Sequence, residues 1–111
     1  MSSNRNLYSV TDQYRTTWYD GDMLHREDGP AIINTDGSKL WYYNDHLHRN
    51  DGPASTHPDG DEMWFTHGKL HRLDGPAVIF GGIKEWWIND EQINCSSQEE
   101  FEKILKLKIF W

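Results

Sequence analysis

A 23-residue step governs this sequence. Leu24-His25-Arg26-Glu27-Asp28-Gly29-Pro30-Ala31 recurs as Leu47-His48-Arg49-Asn50-Asp51-Gly52-Pro53-Ala54. It recurs again as Leu70-His71-Arg72-Leu73-Asp74-Gly75-Pro76-Ala77. Trp18, Trp41, Trp64 and Trp87 keep the same step, as do Tyr19, Tyr42, Phe65 and Ile88. A unit this short cannot bury a core alone, so successive copies must stack. That excludes most compact single-core folds.

Each unit reads as two strands and two turns. The first strand follows the proline: Ala31–Asn34, Ala54–His57 and Ala77–Phe80. Gly-containing turns come next, at Asp36-Gly37, Pro58-Asp59-Gly60 and Gly81-Gly82. Glycine supplies the positive φ that tight hairpins need. The second strand carries the aromatics, over 39–43, 62–66 and 84–88, and a polar turn follows at Asn44-Asp45, His67-Gly68 and Asn89-Asp90. Tyr14 to Tyr19 reads as a degenerate first copy. The expected fold is all-β: an elongated single-layer, twisted antiparallel sheet of hairpin repeats over residues 1–95. Residues 96–111 form a C-terminal helical cap. Ser97 and Glu100 have capping-box spacing, and Phe101, Ile104 and Leu105 share a helical face. Leu105–Ile109 alternates, which leaves a strand end open as an alternative.

Composition suits a thin sheet. Hydrophobic residues are only 36%, yet aromatics reach 14% with six Trp. Net charge is −7, with no basic stripe, so nucleic acid is not an expected partner. No 18-residue apolar span or apolar signal core is visible, so no membrane association is expected. Met1 to Asn6 reads as a frayed polar leader. Cys95 is the only cysteine, which fits a reducing cytoplasm.

The H-R-x-D-G-P connection has two readings. One is an anion or nucleotide site made by Arg26, Arg49 and Arg72 with His25, His48 and His71. The other is a self-contained turn: Asp accepts backbone N–H bonds or pairs with the arginine, Gly takes a strained φ, and Pro starts the next strand where no donor is needed. Recurrence in every unit favours the turn. Equivalent histidines lie about 10 Å apart, two strands per repeat, too far to share one zinc ion, whose ligands sit about 2 Å away. No metal or other cofactor is expected. The Trp ladder reads as packing along one face, partly under the C-terminal helix, the alternative being a platform that stacks a ligand base, sugar or methyl group; Tyr19, Tyr42 and Phe65 fall on the other face. One aromatic face is then left for a partner. No nucleophile elbow, phosphate loop or paired-cysteine motif is present, so catalysis is not expected. Cys95 at the helix start reads as a packing residue, the alternative being a thiol of lowered pKa.

The unit, with W-Y-x-N-D/G and a glycine turn, resembles the MORN repeat and its bacterial and viral variants. The L-H-R-x-D-G-P-A form is similar to small proteins of tailed phages and large DNA viruses, across roughly Trp18 to Asn94. The resemblance implies a string of hairpins acting as a scaffold or binding surface, without enzymatic activity; some bacterial variants are antitoxin-like. Eukaryotic MORN units carry glycine where Asp45 and Asp90 stand here, so lipid binding is not carried over. The expected function is a non-enzymatic protein-binding module, an accessory protein of a virus or mobile element that inhibits a host enzyme, toxin or defence factor. Its partner would be a host protein with a basic patch, met in the cytoplasm. Expected contact residues are the non-repeating ones: Tyr43, Asp45, His46, His57, Trp86 and Trp111. The alternatives are a sponge for a nucleotide signal and a structural homo-oligomer.

Overall fold

The computed structural model describes residues 5–108. Trp111, and with it the last expected contact residue, lies outside the described residues. The strands are β1 (Leu7–Thr11), β2 (Arg15–Asp20), β3 (Met23–Leu24), β4 (Ile32–Asn34), β5 (Lys39–Leu40), β6 (Tyr42–Tyr43) and β7 (His46–Leu47). They continue as β8 (Ser55–Thr56), β9 (Glu62–Met63), β10 (Phe65–Thr66), β11 (Lys69–Leu70), β12 (Val78–Phe80), β13 (Ile83–Ile88) and β14 (Glu91–Ile93). One helix, α1 (Gln98–Lys108), follows. The molecule is all-β with a terminal helix, as the repeat requires, and measures 44 × 37 × 17 Å.

Backbone hydrogen bonding explains the shape. The main sheet runs β1-β2-β4-β5-β8-β9-β12-β13-β14, every pairing antiparallel. One cross-strand row carries Thr17, Ile32, Leu40, Ser55, Met63, Val78 and Glu85. Thr17, Ile32, Ser55 and Val78 in that row are buried. The row beside it, Thr16, Ile33, Lys39, Thr56, Glu62, Ile79 and Lys84, contains no buried residue. The alternation is that of a sheet with one face covered and one wet.

The expected five-residue second strand is interrupted at Trp41 and at Trp64. At each of these the chain changes partner. The Trp41 N–H donates to the Ala54 carbonyl (2.7 Å), while the Trp41 carbonyl accepts from the His48 N–H (3.0 Å). Trp64 does the same with Ala77 and His71, and Trp18 with Ala31 and His25. The first half of each second strand therefore serves the main sheet. The second half folds into a small side hairpin, β6-β7 or β10-β11. Side hairpins close through residues of positive φ: Asn44 (48°) and Asp45 (68°), His67 (48°) and Gly68 (80°), Asn89 (47°) and Asp90 (67°). Such pairs match the right-handed twist of the flanking strands.

The fourth Trp of the ladder is Trp86 and not Trp87. The Arg26 N–H donates to the Tyr42 carbonyl, Arg49 to Phe65 and Arg72 to Trp87, so Trp87 stands where Tyr42 and Phe65 do. The cause is a shorter main-sheet turn. Ile32 faces Leu40 and Ser55 faces Met63, eight residues on, but Val78 faces Glu85, seven on. Gly81 (φ 57°) and Gly82 (φ 80°) make a two-residue turn there. The last repeat step is thus 22 residues, and the paired Trp86-Trp87 disguises the slip.

That slip also corrects the expectation that Trp86 is an exposed contact residue. Trp86 is only 5% exposed. It packs with Ile93 and Phe101, with Ile88, Cys95, Ile104 and Leu105 around them. The Phe101 ring lies 6.3 Å from the Trp86 ring, and Trp86 Nε1 donates to Gln98 Oε1 at 2.8 Å. Helix α1 starts as its spacing predicts. The Glu100 N–H donates to Ser97 Oγ (3.1 Å), and Glu100 Oε1 reaches back to the Ser96 N–H (2.8 Å). Helix, not strand, continues to Lys108. Phe101 has no exposed surface. Phe101→Ala should cost about 3–5 kcal/mol and shift the Trp86 emission to the red in a urea titration followed by fluorescence.

Candidate functional site

Each arginine of the L-H-R-x-D-G-P-A segment lies over the ring of the tryptophan eight residues before it. Cζ of Arg26 is 4.3 Å from the Trp18 ring centroid, Arg49 4.0 Å from Trp41, and Arg72 3.8 Å from Trp64. Nη1 of each donates to a proline carbonyl, Pro30, Pro53 or Pro76, at 3.1–3.2 Å. Nε donates to Asp28, Asp51 or Asp74 at 2.9–3.2 Å. The glycine between them is not there for its φ, which is not in the left-handed region at Gly29, Gly52 or Gly75. It is there for space: a Cβ on Gly52 would sit 2.7 Å from Arg49 Cζ, and one on Gly75 2.6 Å from Arg72 Cζ. The strained-φ expectation for these glycines is therefore corrected to a close-approach requirement.

The histidines tie unit to unit. Nδ1 of His25 accepts the Asn44 N–H (3.0 Å), His48 that of His67 (2.9 Å), and His71 that of Asn89 (3.1 Å). Asp45 Oδ1 accepts the Leu24 N–H and Asp90 Oδ1 the Leu70 N–H, at 2.7 and 2.8 Å. The matching residue in the middle unit is Gly68, which has no carboxylate. His25, His48, His71 and Asp45 thus hold the stack of side hairpins together. His25 is 1% exposed, with Nε2 3.2 Å from Glu27 Oε2, and this bond, with Arg5 close by, holds the Glu27 carboxyl below its ordinary range.

Between the first two turns lies an open groove of about 880 Å³. One wall is Arg26, Glu27, Asp28 and Gly29; the other is Arg49, Asn50 and Asp51; Trp41, Tyr43, His48 and His67 line the remainder. Tyr43 meets His25 edge-on at 4.5 Å and His48 at 6.0 Å, and His48 stacks on His67 at 4.1 Å. The corresponding groove one unit along holds about 320 Å³, between the Arg49 turn and the Arg72 turn, with His71 in it. There Thr66 replaces Tyr43, and Leu73 replaces Asn50. Asp28 and Asp51 side chains are each 87% exposed, so one oxygen of each faces water beside its arginine.

The larger groove unites Tyr43, Arg26, Arg49 and His48 from the expected residues, with His25 beneath Tyr43. It does not include Asp45, His46, His57 or Trp86. His46 is exposed, its Nδ1 at 2.9 Å from its neighbour Asn44's carbonyl. His57 sits on the main-sheet turn between β8 and β9. Glu27 and Asn50 were not anticipated as site residues, and His67 stood out only as a histidine off the repeat register. Their signal is departure from the repeat: Glu27, Asn50 and Leu73 differ at one position, and His67 stands where Asn44 and Asn89 do. The Cys95 thiol is pushed up, by burial first and by Glu100 second, which argues against a reactive thiolate. No family model, curated protein or solved structure matches the chain.

Two measurements test this wiring. In Gly52→Ala the new Cβ meets Arg49 Cζ at 2.7 Å, so the guanidinium must shift; the disturbed ring and hydrogen-bond contacts should cost about 1–2 kcal/mol. In an Arg49→Ala background the same change should cost little, a coupling that a double-mutant cycle of urea titrations reads directly. The second concerns pH. His48 is held below its ordinary pKa, by desolvation first and by His67 second. In the unfolded chain it titrates near 6.5, so below that pH the unfolded state binds more protons than the folded one. Its contribution is intact above pH about 6.5 and is lost as pH falls towards the lower folded value. His48→Asn, which can present Oδ1 where Nδ1 stands, should flatten that part of the stability curve between pH 7.5 and 5.5.

Proposed function

We propose that this chain is a non-enzymatic protein-binding module, whose recognition surface is the groove around Tyr43 and His67. The observation that carries the reading is the break in repetition there. Scaffold positions recur from unit to unit because every unit needs the same bonds. Neither Tyr43 nor His67 recurs in the sister units, and both line the larger of the two grooves. His67 also occupies a left-handed backbone position (φ 48°) that asparagine fills in the other two units, and asparagine tolerates this conformation well. Tyrosine is among the residue types enriched at interface hot spots, and Tyr43 is 39% exposed.

The charge of the surface favours a basic partner. Each groove arginine already has an aspartate, a carbonyl and an indole face, while the side chains of Asp28 and Asp51, 87% exposed, face solvent. With a net charge of −7, association with a basic patch is accelerated at low salt. The same engagement of the arginines weighs against the nucleotide-sponge alternative, which needs guanidinium groups free to meet phosphates. The narrower reading, an accessory protein of a virus or mobile element that inhibits a host factor, is supported by the resemblance of the L-H-R-x-D-G-P-A unit to MORN-variant proteins.

The test is affinity purification from host lysate, with the recovered protein then titrated against purified chain. Tyr43→Ala should weaken binding roughly 30-fold, the scale of a tyrosine hot spot at about 2 kcal/mol. His67→Asn, which installs the residue of the sister units, should weaken it while leaving the fold intact. Binding unaffected by both changes would remove the groove from the reading. A thermal shift with a nucleotide, abolished by Arg49→Ala, would instead support the sponge.

A further inference from the structure

The two ends of the main sheet are built differently. At the far end β14 is three residues long, carries Glu91, and places Ile93 under helix α1. At the near end β1 is five residues, Leu7-Tyr8-Ser9-Val10-Thr11, all exposed. It contains no charge, no proline and no bulge against β2. Natural edge strands are normally blunted by one of those devices, because an open edge pairs with other chains.

The hydrogen-bond phase says which groups are open. Gly21 N–H donates to the Asn6 carbonyl and Asp12 N–H to the Arg15 carbonyl. Bonded pairs alternate along an antiparallel ladder, so Tyr8 and Val10 bond to β2. The N–H and C=O groups of Leu7, Ser9 and Thr11 then point away from the sheet. Among the described residues no partner meets them.

We infer that this edge pairs with the same edge of a second copy, forming a two-fold dimer with one continuous sheet. The register centres on Ser9, so Leu7 faces Thr11 of the other copy and Tyr8 faces Val10. Three features favour a second copy over any other strand. The strand is self-complementary: Tyr8 opposite Val10 is an aromatic–β-branched pair, made twice, at the closer non-bonded positions where side chains interact most. It is also a neutral stretch of a chain of charge −7. In this register Asp12 faces Asn6 and Gln13 faces Arg5, so no carboxylate is brought against a carboxylate. Finally, the capped far end prevents continuation, so pairing stops at two instead of running on into fibres. The exposed apolar surface of Leu7 and Val10, 56% and 50%, is covered or flanked by the new strand. This inference is independent of the groove, and its test needs no other protein.

Sedimentation equilibrium of the full chain at high micromolar concentration should give twice the 13.1 kDa chain mass. Ser9→Pro removes only an outward N–H and should give monomers. A lysine pair, Leu7→Lys with Thr11→Lys, sets like charges opposite each other at both ends and should also give monomers. Leu7→Lys with Thr11→Glu sets opposite charges face to face in this register and should restore the dimer. Circular dichroism checks the fold of each; should Ser9→Pro unfold the chain, the two charge pairs decide alone. A monomeric parent chain, or a dimer that survives the lysine pair, overturns the inference. Failure of the lysine–glutamate pair to restore it overturns the register.

Discussion

The arginine lying on the tryptophan is the contact on which the rest of this molecule depends. It solves a problem particular to thin sheets. At Trp41 and Trp64 the backbone leaves one ladder and enters another, and the indole is left over a surface that no second layer covers. The guanidinium supplies that layer. It is flat, it is weakly hydrated compared with an ammonium, and it brings donors that satisfy the proline carbonyl and the aspartate together. Lysine could not do this, and a side chain on the intervening glycine would crowd the guanidinium, its Cβ meeting Cζ at 2.6–3.0 Å. One short segment, R-x-D-G-P, therefore provides core, cap and turn at once, and this accounts for its recurrence better than a ligand would.

The ladder is covered one tryptophan at a time. Trp18, Trp41 and Trp64 each take an arginine from the following turn. Trp86 has no such turn after it, since Asn94 stands where the arginine would be. Phe101 of the helix packs against it instead, the ring centroids 6.3 Å apart. The helix thus packs against the one ladder tryptophan that no arginine turn follows.

Much of this was legible in the chain itself. The period, the turn positions, the strand class and the Ser97–Glu100 helix start follow from spacing and local chemistry. Three things were not. The 22-residue last step was hidden because Trp87 matches the period by identity while Trp86 matches it by hydrogen bonding; the shortened Gly81-Gly82 turn was the available clue. The role of Gly29, Gly52 and Gly75 needed the arginine's position, since a glycine for space and a glycine for φ look alike in a sequence. The groove was half legible. Tyr43 stood out as a non-repeating aromatic, but the stacking of His48 on His67 depends on residues 19 apart and on the tilt of neighbouring side hairpins, which periodicity alone does not supply.

The histidine links have one further consequence. The Nδ1 of each imidazole bonds to the hairpin next in line, and each leucine carbonyl likewise. Information about how many units there are never crosses more than one joint. A lineage could therefore lengthen or shorten such a chain by whole units, as beads are added to a string, without redesigning any surviving joint. Growth in this architecture is arithmetic, whereas a globular protein must rebuild its interior to gain the same surface.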